Sequence, residues 1–435
     1  MNAPNHLRTL TGSTGSKRTY AALPPLARLR FQLPIVFAAG ALIPAIVVGS
    51  QPFYDPLSFS AVSNAYYAAI ISSLASLILF RRLGTFPGIT SLGQVAPAVI
   101  GPYVGAVLLI LFARLDYSRP LLSISALMTT IILFLLWRYR RNRCAPSIYS
   151  LPGTNIDAGR IRVRRADPAM PLEHLDRNPI LVADLRRDLP PEWQAYLLHA
   201  ALSGVPVYHV KQLQESLLGR VEVEHLSENT FGSLNPNQIY VKTKRLFDVG
   251  ASIALLPVLA VVFAAIALAI KLESRGGVFF KQLRTGRRGE AFQVIKFRSM
   301  YVDRDRTGCR EQARTQDNDP RITRVGAILR RYRLDELPQV FNILRGEMSW
   351  IGPRPEALEL SSWYQNEIPF YGYRHMVRPG ITGWAQVHQG HVHDLDSVTE
   401  KLQYDFYYIK HFSWWLDALI VLRTLRTVIV GNGAR

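Results

Sequence analysis

Apolar residues run in long blocks through the first third of the chain and in short, interrupted runs through much of the remainder. The blocks fall at 31–50, 61–80, 87–113 and 120–137, each near the ~20 residues a helix needs to cross a hydrocarbon core. They predict four membrane helices. The third block carries Pro87, Pro97 and Pro102, which membrane helices tolerate where neighbours satisfy the freed carbonyls. Arg8, Lys17, Arg18, Arg28 and Arg30 precede the first block, Arg81 and Arg82 follow the second, and Arg138, Arg140, Arg141 and Arg143 follow the fourth. Basic flanks stay inside, so these ends face the cytoplasm. Residues 51–60 hold no Lys or Arg, as an outer loop should, whereas Arg114 and Arg119 in the other outer loop dissent.

Past the fourth block the apolar runs shorten. Ile180-Leu181-Val182-Ala183 and Val205-Pro206-Val207-Tyr208 flank a helical segment at 191–203, a strand–helix–strand pattern that implies a parallel α/β unit. No Gly-x-Gly-x-x-Gly accompanies it, and no nucleotide is assigned there. A fifth apolar stretch, 247–270, follows Lys244-Arg245 and is long enough to span. A fifth crossing would carry the basic C-terminal region to the outside, against the charge pattern. Pro257, near its middle, lacks a donor and clashes with the preceding turn, so the expectation is a broken, re-entrant helix; a kinked full span is the alternative. At the far end, 412–430 interleaves Trp414, Trp415, Leu416, Leu419, Ile420, Leu422 and Leu425 with Arg423 and Arg426. That pattern suits a helix lying in the membrane interface, or a terminal helix packed on a core. The layout is therefore a basic tail (1–30), four membrane helices (31–143), an α/β middle domain (144–237) and a C-terminal domain (238–435).

Composition narrows the partners. Lys and Arg number 51 against 32 Asp and Glu, a net charge of +19, and 49% of residues are hydrophobic. The excess of positive charge suits nucleic acid, phospholipid headgroups or phosphorylated substrates. No basic helix or aromatic-basic strand of a nucleic-acid reader is present, which sets nucleic acid aside. The four blocks hold no charged residue at their centres, which argues against an ion path or transporter. Cys144 and Cys309 are the two cysteines; their spacing supports neither a disulfide framework nor a zinc site. No cleavable signal is evident at the start of the chain.

The candidate chemistry centres on Arg330-Arg331-Tyr332-Arg333-Leu334-Asp335-Glu336-Leu337-Pro338-Gln339, which sets two adjacent carboxylates among three arginines. A carboxylate can attack phosphorus or hold Mg²⁺, and guanidinium groups hold phosphoryl oxygens in forked hydrogen bonds. Leu337-Pro338 places the pair near a helix start or tight turn, where backbone N–H groups add positive potential. Alone, the run reads as a charged helix end. It is accompanied by Phe280-Lys281-Gln282-Leu283-Arg284-Thr285-Gly286, Lys296-Phe297-Arg298-Ser299-Met300, Gly352-Pro353-Arg354-Pro355 and Arg378-Pro379-Gly380-Ile381-Thr382-Gly383-Trp384. On a strand, Lys296 and Arg298 point to one face while Phe297 packs behind. Proline-fixed backbone holds Arg354 and Arg378. Trp384 could stack on a ligand, but a core position is favoured. His388, His391 and His393 include a His-x-His spacing, and no carboxylate–histidine set surrounds them, so no metal is assigned there.

Taken in order, these blocks resemble the bacterial polyisoprenyl-phosphate hexose-1-phosphate transferases of the monotopic phosphoglycosyl transferase superfamily. The resemblance is close over 240–430, and the N-terminal layout looks like that of the larger members. It implies a mixed α and α/β membrane protein: a four-helix transmembrane bundle, a Rossmann-like middle domain, and an α+β catalytic domain with a re-entrant helix near 247–270. The implied reaction moves a hexose-1-phosphate, glucose or galactose, from a UDP-sugar to undecaprenyl phosphate and releases UMP, initiating a surface polysaccharide at the bacterial inner membrane, with the catalytic domain on the cytoplasmic face. Asp335 is then the nucleophile of a ping-pong cycle, and Asp335 with Glu336 holds Mg²⁺. Arg330 matches a phosphate-contacting arginine, and Lys296, Arg298, Arg284, Arg354 and Arg378 are substrate-binding candidates. Arg331 and Arg333 are expected in solvent or at lipid headgroups, and Asp405, in Tyr404-Asp405-Phe406-Tyr407-Tyr408, in a structural role. Membrane lipid is an expected partner, homo-oligomerisation is left open, and the alternative is an inactive scaffold for polysaccharide assembly.

Overall fold

A computed structural model describes residues 24–49, 59–83, 95–143, 147–154, 163–176, 178–222, 238–301, 321–389 and 394–430. The chain divides into two compact units, Met1–Phe80 with Thr90–Leu217 and Arg81–Ile89 with Leu218–Arg435. Among the described residues, five helices are long and apolar enough to cross a membrane, which marks a membrane protein.

Four of those helices come early: α1 (Leu29–Gly49), α2 (Phe59–Leu83), α3 (Val95–Phe112) and α4 (Arg119–Arg143). Ile71, Ile100, Leu109 and Leu127 are exposed along them, as side chains that meet acyl chains must be. Small polar residues hold the inner faces. The Tyr103 hydroxyl lies 2.6 Å from Ser125 Oγ and 2.9 Å from Thr129 Oγ1, and Ser125 Oγ donates to the Gly40 carbonyl. Such interhelical hydrogen bonds replace the hydrophobic drive that lipid does not supply. Pro102 sits inside α3, and its carbonyl accepts from Ser72 Oγ at 3.3 Å. The start of the third apolar block, with Pro87, lies outside the described residues.

The same unit contains a four-stranded parallel sheet in the order β2-β1-β3-β4, formed by β1 (Ser147–Ser150), β2 (Val163–Arg165), β3 (Pro179–Ala183) and β4 (Val207–His209). Helix α5 (Pro191–Leu202) joins β3 to β4, and α6 (Val210–Leu218) follows. β3, α5 and β4 are the strand–helix–strand read from sequence. Tyr149, Leu181, Ala183, Trp193, Tyr196, Leu197 and Ala200 bury one side of the sheet against α5. Ile148, Val182, Val210 and Leu213 bury the other against α6.

In the second unit α7 (Gln238–Glu273) is one helix of 36 residues with Pro257 inside it. The expected break is therefore corrected: the proline costs a hydrogen bond without ending the helix. Both arms of α7 nevertheless reach α9 (Val340–Arg345). From the first arm, Arg245 donates to the Ile343 carbonyl and, at 3.0 Å, to that of Leu344, capping the C-terminus of α9. From the second, the Phe263 ring meets Phe341 at 5.9 Å. A straight helix would hold residues 245 and 263 about 27 Å apart, so contact with a single helical turn favours a bend between them.

The rest of this unit is small elements around one block of turns. β5 (Phe279–Thr285) and β6 (Ala291–Phe297) form an antiparallel hairpin. Asn342, fully buried, accepts from Ile295 N at 3.0 Å and donates to the Gln293 carbonyl at 2.7 Å, closing the outer edge of β6. Helix α8 (Arg324–Arg331) leads through Arg333, whose φ of 53° is left-handed, into a 3₁₀ helix at Leu334–Gln339. β7 (Ser349–Ile351) pairs parallel with β8 (Gly380–Thr382), flanking α10 (Leu358–Glu367) in sequence. A Cβ on Gly380 would stand 2.0 Å from Gly352 N; only glycine lets the Gly-Pro-Arg-Pro and Arg-Pro-Gly backbones pack this closely. Helices α11 (Leu395–Lys410) and α12 (Trp414–Val430) complete the unit. α12 buries Leu416, Leu419 and Ile420 while Trp414 stays 41% exposed, so it packs on the core and keeps an aromatic edge outward.

Candidate active site

Leu334 and Leu337, on either side of the dyad, pack with Phe263, Ile266 and Ile270 of α7 and with Phe297 and Leu329. That apolar contact fixes the 3₁₀ helix at the second arm of the membrane helix, with Asp335 and Glu336 in its first turn. The expectation of a helix start or tight turn holds.

Glu336 is buried. Its Oε1 accepts from Arg354 Nη2 at 2.7 Å and lies 3.3 Å from Lys296 Nζ, while Oε2 is buried with no hydrogen-bond partner among the described residues. Burial pushes the Glu336 carboxyl up, but Arg354 and Lys296 outweigh it and hold the group below the usual carboxylate range. Asp335 moves the other way. Burial raises it, and the adjacent Glu336 charge adds to the rise against the pull of Lys296, Arg354 and Arg330. Burial draws Lys296 down to about 8 despite Glu336. Two neighbouring carboxylates are thus driven apart, one firmly ionised and one sensitive to its surroundings.

The cations arrive from separate elements. Arg284 projects from β5, where its Nη1 donates to the Pro355 carbonyl and its Nη2 to Gln282 Oε1 at 2.9 Å; burial, with Arg354 nearby, lowers it to about 10. The bridge between Arg284 and Ala357 brings β5 alongside the Arg354 turn. Arg330 Nε donates to Ser299 Oγ at 2.9 Å, and its charge acts on Asp335. Lys296, Arg284, Arg330 and Arg354 are therefore brought together with the dyad.

Arg298 and Arg378 stand apart. β6 ends at Phe297, and Arg298 donates to the Ser274 carbonyl at 2.9 Å, Ser274 Oγ at 2.8 Å and the Arg275 carbonyl at 3.1 Å. It caps the end of α7. Arg378 Nε donates to the Gly346 carbonyl at 2.9 Å. Arg333, expected in solvent or lipid, joins the cluster instead: it is partly buried and its charge acts on Glu336 and Asp335.

Sequence reasoning missed the layer that fixes Arg354. Arg374 donates to the Arg354 carbonyl at 2.8 Å and to the Tyr371 hydroxyl at 2.7 Å, and its Nη2 is 2.9 Å from Asp405. Lys401 pairs with Glu356. Asp405 was legible as structural; Arg374 and Lys401 lie in no motif and carry no spacing signal. Trp384 is fully buried and donates to the Gly219 carbonyl at 2.8 Å, the core position expected of it. His388 lies 2.8 Å from the Trp384 carbonyl and against Arg423, whereas His391 and His393 lie outside the described residues.

A magnesium ion fits the donor set that remains. Mg²⁺ takes hard oxygens and binds through one or two carboxylates plus substrate phosphates. The unpartnered Oε2 of Glu336 and the carboxylate of Asp335 supply two such oxygens. No group of three or more His, Cys, Asp or Glu able to hold a metal occurs among the described residues, so further ligands must come from substrate or water.

Comparison with known proteins places this arrangement in a class. The family described as bacterial sugar transferase matches residues 239–431. Across nearly the whole chain, 39% identity over 423 residues relates it to the UDP-N-acetylgalactosamine-undecaprenyl-phosphate N-acetylgalactosaminephosphotransferase of Aeromonas hydrophila, covering 94% of this chain and 97% of that one. The UDP-glucose:undecaprenyl-phosphate glucose-1-phosphate transferase of Xanthomonas campestris pv. campestris is 38% identical over 263 residues, 59% of this chain and 49% of that one. The protein of the same name from Escherichia coli (strain K12) is 41% identical over 194 residues, 44% and 41% respectively. The chain belongs to the bacterial sugar transferase family, and it is an enzyme of that family.

Proposed function

We propose that the protein transfers a sugar-1-phosphate from a UDP-hexose to undecaprenyl phosphate and releases UMP, as the first step of a surface polysaccharide. The observation that carries this reading is the opposed pair: Glu336 held ionised by Arg354 and Lys296, beside an Asp335 whose carboxylate is left for chemistry. An Asp335 oxygen attacks the phosphorus bearing the sugar, the bond to the bridging oxygen breaks, and UMP leaves with that oxygen. The lipid phosphate oxygen then attacks the same phosphorus, the Asp335–phosphorus bond breaks, and a sugar diphosphate lipid is formed. Arg354, Arg284 and Arg330 neutralise the phosphoryl oxygens as the two anions approach. Asp335 and Glu336 would hold Mg²⁺, which would supply further neutralisation of the diphosphate.

The bend that the α9 contacts favour in α7 suits a helix entering and leaving by the cytoplasmic face of the inner membrane, with the dyad at the height of the lipid phosphate. The parallel sheet of the first unit suits a Rossmann-like middle domain, and the four early helices a transmembrane bundle. The relative that matches along its whole length is named for N-acetylgalactosamine and the shorter matches cited for glucose, so UDP-N-acetylgalactosamine joins UDP-glucose and UDP-galactose as a donor.

The test is full-length protein in detergent with polyprenyl phosphate, Mg²⁺ and each of these three donors, scored by UMP release. With donor alone, mass spectrometry should find one phospho-sugar on Asp335. No UMP from any of the three would remove them as donors, and UMP without an adduct would remove the covalent step.

A further inference from the structure

Arg245, Arg287 and Arg378 line a single cavity with Lys244, Asp248 and Phe412, and this lining shares no residue with the cluster around the dyad. The three guanidinium groups come from three places: the first arm of α7, the turn between β5 and β6, and the segment entering β8. Their charges are not balanced locally. Lys244 is spent on Asp417, and Asp248 is the only carboxylate of the lining. Arg287 makes no side-chain hydrogen bond or ion pair with the described residues, and Arg378 uses only its Nε, on the Gly346 carbonyl. Burial and then the charges of Arg287 and Arg245 make Arg378 harder to protonate against a smaller opposing pull from Asp248, the sign of cations converging beyond what one carboxylate offsets.

The position narrows which anion this cavity suits. Phe412 packs on Tyr240 at 4.7 Å, Tyr240 on Trp414 at 5.0 Å, and Trp414 on Phe247 at 5.3 Å. Leu246 and Phe247 are exposed just where the apolar stretch of α7 begins. An aromatic cluster at the start of an apolar helix marks headgroup level, and basic pockets at that level bind anionic headgroups. We propose that the cavity at the foot of α7 is a second anion site, separate from the dyad, that holds the phosphate of an anionic phospholipid.

The chemistry recognised is a phosphate group, and soluble phosphate is the other source. Full-length protein in detergent, titrated with phosphatidylglycerol or phosphatidylcholine and read by native mass spectrometry, should retain phosphatidylglycerol preferentially. Arg287→Gln removes the least-engaged of the three charges and should weaken that retention about tenfold, the loss of one charge-assisted hydrogen bond. Arg287→Lys should restore most of it, and circular dichroism should confirm that both variants fold. Thermal-shift titrations with inorganic phosphate and with UMP form the second arm. Stabilisation by either that vanishes in Arg287→Gln would overturn the lipid assignment in favour of a soluble anion. Equal phosphatidylglycerol retention by the chain, Arg287→Gln and Arg287→Glu would overturn the site itself. Neither arm depends on turnover, so a failed UMP assay leaves the reading of this cavity intact.

Discussion

Glu336 and Asp417 are both buried carboxylates beside a lysine, and the protein uses them in opposite ways. Both oxygens of Asp417 are engaged: Tyr408 donates to Oδ1 at 2.8 Å, while Tyr240 and Lys244 donate to Oδ2. Lys244 is 6% exposed and Asp417 4%. The pair ties the first arm of α7 to α12. Glu336 instead places both cations on one oxygen and leaves the other with no partner among the described residues. A fully paired buried charge network fixes a geometry, whereas a partly paired one leaves bonding capacity to a ligand. Closure around the acid, more than its burial, therefore separates the two regions.

The sharpest way to break this contrast is Asp335→Asn. An amide cannot serve as the anionic nucleophile, and UMP release should fall by roughly 10⁴-fold or more. Thermal stability in detergent should stay near that of the unsubstituted chain, because Asp335 is not closed into the fold. A variant that turns over normally would remove Asp335 from the chemistry. Asp417→Ala should do the reverse. It strands Lys244 in the interior, and breaking a buried pair costs about 3–5 kcal/mol. The unfolding midpoint should drop sharply while UMP released per folded molecule persists. Replacing both partners, Lys244→Met with Asp417→Leu, should recover much of the loss, since an apolar pair of similar volume can substitute for a buried ion pair. Failure of the double variant to recover would mean that the network does more than hold helices together.

Arg354→Lys is a smaller perturbation of the catalytic side. Lysine keeps the charge but loses the planar fork and the rigid reach from a proline-flanked turn. Oε1 of Glu336 then loses its 2.7 Å donor, and kcat should fall by about 10²-fold. An unchanged kcat with a raised KM would make Arg354 a donor-binding residue alone.

What could be read in advance follows from how local each signal is. The four early helices were legible because bilayer thickness sets their length, whatever their neighbours. The dyad and the turn it occupies were legible because Leu337-Pro338 constrains the backbone within two residues. Arg298 was expected at substrate phosphate because its place beside the strand was legible, whereas the carbonyls of Arg275 and Ser274 that engage it lie 23 and 24 residues away in sequence. Arg333 was placed outside because nothing local to the sequence reveals a left-handed residue that redirects the chain. β1 and β2 were missed since Ser147–Ser150 is only four residues long and Val163–Arg165 is an edge strand with two exposed arginines. Lys244 and Asp417 are separated by 173 residues, and only tertiary packing pairs them.

The finest test of the contrast is the pH dependence of Lys296. Lys244 is wholly committed to Asp417, but Lys296 faces an anion it shares with Arg354, and burial brings its proton affinity down to about 8. The sign follows directly. Below that pH the ammonium is charged and helps receive the donor diphosphate; as pH rises through it the charge is lost and kcat/KM should decline. Bound phosphate raises the affinity of Lys296 for its proton, so the alkaline limb of kcat should lie above that of kcat/KM. On the acid side Asp335, raised by burial and by Glu336, must lose its proton to attack, and the rate should fall as pH drops. Lys296→Arg keeps a charge at every accessible pH. Its alkaline limb should vanish or move well above 8 while the acid limb stays, even where the longer side chain lowers the rate. An alkaline limb that remains near 8 in Lys296→Arg would assign it to another group and leave Lys296 a partner of Glu336 alone.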